Sequence, residues 1–240
     1  MAILNVNTVY QTVLMILNKE QRGYMTPTEF NTVATQVQLE IFEKYFDDLN
    51  QQLRIPQADT DYADRQENID EKLAIFKTFG TPTLVPNTDY FSLPTIDSYG
   101  DTVSFYRLGN LIHNSNKIIQ RLDRHDFYYV DRSKLTRPTT SNPVYLYENQ
   151  KLFIKPTSIV SDVTVDYVRK PKNVLWNFGR GGLGQYEFVE DISVNFELHE
   201  SEQTELVLKI LLYSGIIIRD PEVVQTAAAL VQAEETNKKS

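Results

Sequence analysis

Cysteine is absent from the 240 residues, which removes disulfide bridges, thiolate chemistry and cysteine-ligated zinc. Only three histidines are present, His113, His125 and His199, and no His-x-x-x-His spacing occurs. Long apolar runs are missing too. The most apolar stretch, Leu206 to Ile218, is too short for a membrane span and is broken by Lys209 and Ser214. Met1-Ala2-Ile3-Leu4 has neither the basic start nor the cleavage site of a secretory signal. The expectation is a soluble protein with no membrane partner, made in a reducing compartment.

Basic charge is in short supply as well. The formal net charge is −8, and Lys and Arg are scattered except for a loose cluster at Arg121, Arg124, Arg132, Lys134 and Arg137. Asp123, Asp126 and Asp131 interleave with that cluster and cancel much of it. A protein that grips DNA or an anionic membrane gathers cations on one face, so tight DNA binding is not expected. A weakly repulsive passage for DNA is compatible with this charge.

What is present begins with helices. Asn5 can cap a first helix over 5–19, with Val6, Val9, Tyr10, Val13, Leu14 and Leu17 on one stripe. Gly23 suits a stop. Thr26, Pro27 and Glu29 then form a capping-box start, followed by apolar residues at helical spacing from Phe30 through Ile41, Phe42, Tyr45 and Phe46 to Leu53. About 27 helical residues span roughly 40 Å, more than one small core needs. That excess predicts one face for the subunit's own core and another, including Phe42 and Tyr45, for a neighbouring copy. A third helix is expected over 59–79, acidic in its first half. Ser201 and Asp220-Pro221 open two closing helices, and 236–240 reads as a disordered tail.

Between 83 and 171 the period shifts towards two. Strands are expected at 88–93, 102–112, 118–122, 144–148, 151–155 and 163–169, with Glu148-Asn149-Gln150-Lys151 as a tight hairpin. Residues 126–135 read as a strand or a short helix, and 187–196 as a strand. The fold class predicted is α+β, the N- and C-terminal helices packed as a helical bundle with a central antiparallel β region. The corresponding division is 1–81 as an N-terminal helical part, 82–197 as the β region with flexible loops, and 198–240 as C-terminal helices packing on the first ones.

Motifs for chemistry are few. The loop Phe178-Gly179-Arg180-Gly181-Gly182-Leu183-Gly184 has no Lys-Ser or Lys-Thr behind it and does not lead from a strand into a helix, so it is neither a P-loop nor a dinucleotide fingerprint. It reads as a mobile loop between anchoring aromatics that can order against a neighbouring subunit, with Arg180 as an interface candidate. The acids from Asp59 to Glu71 lack the glycine and the terminal glutamate of an EF-hand loop. No serine-nucleophile elbow occurs, and no carboxylate pair is singled out. No catalytic, cofactor-binding or metal residue is nominated, and the protein is read as non-enzymatic. Fourteen tyrosines are present. Tyr145 and Tyr147 share one face of an expected strand, where they either cover the core or join a subunit interface.

Two segments carry a family resemblance. The first runs from Asn18 to Leu49 and includes Gly23-Tyr24, Thr26-Pro27, Phe30 and Asn31; the second runs from Phe196 to Glu235 and includes Glu197-Leu198-His199, Glu205-Leu206 and Ile218-Arg219-Asp220. Together they resemble the ring proteins (neck or tail adaptors, head-to-tail connectors) of crAss-like and related tailed bacteriophages. The resemblance covers about a third of the chain. It implies a virion structural protein of the neck or tail, assembled in the host cytoplasm as a twelvefold homo-oligomeric ring. Such a ring binds the portal and other tail or ring proteins, and DNA passes through its channel without specific binding. The competing reading is a tail component that binds host-surface glycans or degrades the cell wall. An intracellular regulator is the third, and no partner motif supports it.

Overall fold

The computed structural model describes residues 3–19, 24–52, 69–96, 100, 102, 104–182, 184–218, 225–226 and 228–233. The chain forms two compact units: Met1–Ala74 with Pro171–Ser240, and Ile75–Lys170 inserted between those two segments.

In the first unit, Asn5 opens α1 (Val6–Lys19) as expected: its Oδ1 accepts hydrogen bonds from the Asn7 and Thr8 backbone amides at 2.8 and 3.2 Å. The capping box of α2 (Pro27–Gln52) is also formed. The Thr26 amide donates to Glu29 Oε2 at 2.9 Å, and the Glu29 amide donates back to Thr26 Oγ1 at 3.3 Å. The Thr26 hydroxyl donates to the same carboxylate at 2.7 Å, and these side-chain and backbone bonds hold the Glu29 carboxyl below its ordinary pKa.

Two further surfaces of α2 are used within the unit. Asn31, Thr35 and Gln38, spaced to share one side of a helix, bond the extended segment 172–176, which has little sheet pairing of its own. Asn31 takes the Trp176 amide on Oδ1 at 2.7 Å and donates to the Trp176 carbonyl at 3.2 Å. The Val174 amide donates to Thr35 Oγ1 at 3.2 Å; Gln38 Nε2 donates to the Lys172 carbonyl at 2.7 Å and its Oε1 accepts from the Glu197 amide at 2.8 Å. The other surface meets α5 (Gln203–Ile218) through ion pairs. Lys209, all but buried, lies 2.7 Å from Glu40 and 3.6 Å from the equally buried Glu205, whose carboxylate also takes Lys44 at 3.0 Å. Tyr213 donates to Glu40 at 3.1 Å, and Lys72, on the described helical turns 69–74 (α3), pairs with buried Glu202. The short strands β1 (Ile3–Leu4) and β12 (Phe196–His199) pair antiparallel.

The second unit holds β2 (Lys77–Gly80), β3 (Thr83–Leu84), β4 (Tyr90–Ser92), β5 (Phe105–His113), β6 (Lys117–Arg121), β7 (Val144–Glu148), β8 (Lys151–Lys155) and β9 (Val163–Arg169). They make one eight-stranded sheet in the order β2-β9-β5-β6-β7-β8-β4-β3, curled into a half-barrel. This overturns the expected architecture of a helical bundle beside an antiparallel β region: the large curled sheet dominates, and it is mixed. The reason lies between β6 and β7, which run parallel. Residues 124–132 fold as helix α4 (Arg124–Arg132), giving a crossover long enough to return the chain in the same direction. Hydrophobic alternation identifies strands but carries no information about their direction.

Strand β7 is covered on both faces. Tyr145 joins the core of Phe91, Leu111, Ile119, Leu152, Ile154 and Tyr167, while Val144 and Leu146 pack with Phe127 of α4. A two-sided strand reads as a continuous apolar run, Val-Tyr-Leu-Tyr, rather than an alternation. The β7–β8 hairpin turns at Asn149 (φ 50°) and Gln150 (φ 58°), the two positive values of a type I′ turn. The expected helix over 59–79 ends early: 69–74 are helical, but 77–80 leave as β2 to pair with β9. Its first half lies outside the described residues, as do the closing-helix start at Asp220-Pro221, the stop at Gly23 and the tail 236–240. Residues 187–196, expected as one strand, instead contain the end of one short strand, a turn and the start of β12.

Lys209→Ala takes one cation away from the buried Glu205, beside which Lys44 stays. Removing one partner of a buried ion pair costs about 3–5 kcal/mol. Because Lys44 stays beside Glu205 and Glu40 is partly exposed, Lys209→Ala is expected to cost less than that, about 2 kcal/mol in a urea titration; a loss below about 1 kcal/mol, as for an exposed pair, contradicts this role.

Candidate functional site

The interface candidates scatter. Phe42 is fully buried and Tyr45 is 5% exposed in the first unit; Tyr145 is 3% exposed in the sheet core of the second. All three are core residues of their own units, which for Tyr145 is one of the two alternatives the sequence leaves open. Burial, ahead of the charges of Glu202 and Glu205, pushes the Tyr45 hydroxyl pKa up, and that hydroxyl is buried without a hydrogen bond. Tyr147 is half-buried beside Phe105, with the Arg121 guanidinium 5.8 Å from its ring centroid. Arg180 is exposed on a hairpin. Phe42, Tyr45 and Arg180 thus belong to the first unit, and Tyr145 and Tyr147 to the second.

The glycine-rich stretch is that hairpin: β10 (Phe178–Arg180) pairs with β11 (Tyr186–Phe188), and the Gly181 amide donates to the Gln185 carbonyl at 2.9 Å. Gly184 takes φ +82°, a conformation that favours glycine. The anchoring aromatics are present. Trp176 lies 4.5 Å from Tyr10, 6.0 Å from Phe178 and 5.6 Å from Phe188, centroid to centroid. Its indole donates to Asn7 Oδ1 at 3.0 Å. Beside them opens a cleft of about 520 Å³, lined by Tyr24, Trp176 and Tyr186 together with the amides of Asn7, Gln11 and Gln185. Tyr24 is 53% exposed and Tyr186 38%. Among the described residues no charged side chain lines this cleft. Aromatic rings with neutral amides suit a neutral ligand that has both apolar faces and hydroxyls.

The histidines have local settings. His199 Nδ1 accepts from the Ser201 amide at 3.2 Å, capping the turn before α5. His125 stacks on Tyr129 at the surface, 3.3 Å from Asp126. His113 is buried at the end of β5, with Nδ1 lacking a hydrogen-bond partner. Among the described residues no group of three or more His, Asp or Glu side chains is placed to hold a metal ion, and no helix is long and apolar enough to cross a membrane.

Among the described residues a further group of exposed apolar side chains was not read from the sequence as a surface. It surrounds α4 in the second unit. Leu135 is 94% exposed, Ile118 and Tyr129 are each 69%, and Tyr128 is 54%. Next to them is a groove of about 530 Å³ whose lining includes Ile118, Leu122, Val130, Leu135, Pro138 and Pro143. Cations rim it: Arg137 contributes to the lining, Lys134 adjoins Leu135, and Lys117 donates to the Thr140 carbonyl at 3.3 Å. In sequence, 117–137 holds six basic residues and three aspartates, a net +3, so the remaining residues of this −8 chain carry −11; Arg137 alone of the six is in the groove lining, and Arg121 lies over the Tyr147 ring. Some of the cations are compensated, Arg137 and Lys155 by Asp131 at 3.8 and 3.6 Å and Arg124 by Glu148 at 3.4 Å. The signal was in the sequence as the loose basic cluster, but the apolar side chains between the charges become a surface only once α4 forms.

Compared with known proteins, the chain matches no family model and no curated relative.

Proposed function

We propose that this protein is a non-enzymatic structural subunit that assembles head-to-tail with copies of itself into a ring, serving as a neck or tail adaptor between the portal and the tail of a bacteriophage virion. The observation that carries this is the separation of charge along one chain: a basic stretch, 117–137, with a half-apolar groove beside it, in an otherwise acidic protein. Identical chains with two unlike, complementary surfaces associate heterologously, and such contacts close into rings when the rotation allows. An acidic remainder also suits a channel through which DNA slides without being held. The resemblance of the terminal segments to phage ring proteins supplies the setting, the twelvefold symmetry and the portal and tail proteins as partners.

A second reading is favoured by the cleft beside Trp176. A tail component that holds a neutral host glycan needs stacked aromatics with amide partners, and Tyr24, Tyr186, Gln11 and Gln185 meet that description. Trp176 is the only tryptophan, so its fluorescence reports on this cleft alone.

Native mass spectrometry and negative-stain images of the purified protein are expected to show closed rings, alone or on purified portal; a strict monomer that joins neither portal nor tail parts contradicts the ring reading. Titration with maltotriose, cellotriose and N-acetylchitotriose is expected to leave Trp176 emission unchanged. A saturable shift abolished by Tyr24→Ala would favour the glycan reading instead.

A further inference from the structure

We propose that the groove beside α4 receives the turn at 190–193 of the next copy, with Ile192 entering the groove and Glu190 and Asp191 meeting its basic rim. The proposal rests on the head-to-tail ring reading and names the contact that makes it.

The turn has the required chemistry and is built in advance. Glu190 and Asp191 are exposed and Ile192 is 62% exposed, an unusual position for an isoleucine. The Ser193 amide donates to the Glu190 carbonyl at 3.0 Å, closing a tight turn with Asp191 and Ile192 at its tip. Ser193 braces it from behind: its hydroxyl donates to the Val189 carbonyl at 2.6 Å and accepts the Asn177 amide at 3.0 Å. The Val189 amide donates to the Asn177 carbonyl at 3.0 Å. A turn already held in shape loses little conformational freedom on docking.

The groove is the complement in each property. Leu135 and Ile118 offer apolar surface that water otherwise covers; Arg137, 3.8 Å from Asp131, supplies opposite charge in the lining, Lys117 reaches the Thr140 carbonyl beside it, and exposed Lys134 precedes Leu135 in the chain. Two carboxylates beside one isoleucine match cations beside an apolar groove. A strongly anionic polymer would find the rim but would leave the apolar surface uncovered. Two copies of the groove repel each other through like charge, as do two copies of the turn, so the contact selects turn against groove and runs head to tail.

The test is a charge swap with exposed residues. Lys134→Glu with Arg137→Glu breaks the groove side, and Glu190→Lys with Asp191→Lys breaks the turn side. Circular dichroism and thermal melts check that both variants fold; Leu135→Ser is a milder third variant. Each double variant alone is expected to need at least a tenfold higher concentration to assemble than wild type. Mixed, the two are expected to co-assemble into rings of alternating variants, because each intact groove meets an intact turn and each acidic groove meets a basic turn. The chain carrying all four substitutions is expected to regain rings. Wild-type rings with double variants that still assemble normally, or a mixture that stays monomeric, overturn this contact while leaving the ring reading in place. Loss of duplex-DNA binding in Lys134→Glu/Arg137→Glu without loss of assembly would assign the groove to DNA and overturn it too. A wild type that is monomeric throughout removes both readings.

Discussion

The buried hydrogen-bonding and ionic demands along α2 shape the first unit. Residues 172–176 run extended beside the helix, and their backbone amides and carbonyls would be costly to leave unpaired. Asn31, Thr35 and Gln38 supply the bonds from one side of α2. Farther along, Glu40 and Lys44 reach the α5 pair of Glu205 and Lys209. An apolar interface would bury area at any rotation of two helices, whereas a charge cluster is satisfied in only one register. The positions of the Trp176 aromatics and of the short β1–β12 ribbon follow from that fixed frame.

The second unit depends on a different constraint. A sheet whose β7 is covered on both faces needs something on its outer side, and α4 provides it through Phe127 against Val144 and Leu146. The same helix is the crossover that makes β6 and β7 parallel. Its length and the loop behind it leave Leu135 and the basic side chains at the surface. The exposed groove is thus a by-product of the crossover that gives the sheet its mixed topology, and it is the feature on which the functional reading stands.

Local structure was largely legible where short-range chemistry decides it. Asn5, the Thr26–Glu29 capping box and the Asn149–Gln150 turn each announce an element within a few residues, and each formed. Strand direction was not legible, because β6 and β7 alternate alike whether parallel or antiparallel; the fold class failed for that reason and because the curled sheet outweighs the helices. The width of the apolar surface on α2 was read as a face for a neighbour, yet Phe42 and Tyr45 are consumed by the chain's own core. The polar stripe Asn31, Thr35 and Gln38 went unread because polar residues on a helix ordinarily face water. Of the interface candidates, only Tyr147 and Arg180 retain exposed surface, and the α4 groove appears only when the crossover folds 118–144 into one surface.

The functional reading reduces to a claim about where charge resides: a net positive stretch, 117–137, on a negative chain attracts another copy. Screening weakens attraction between exposed charges as the Debye length shrinks from about 10 Å at 0.1 M salt to about 3 Å at 1 M. Sedimentation velocity of the wild-type protein across that range, at one fixed concentration, reads this directly. The account predicts a mass several times that of the monomer at low salt, falling towards the monomer as salt rises. An assembly whose mass is indifferent to salt, or a monomer at every salt concentration, would contradict it.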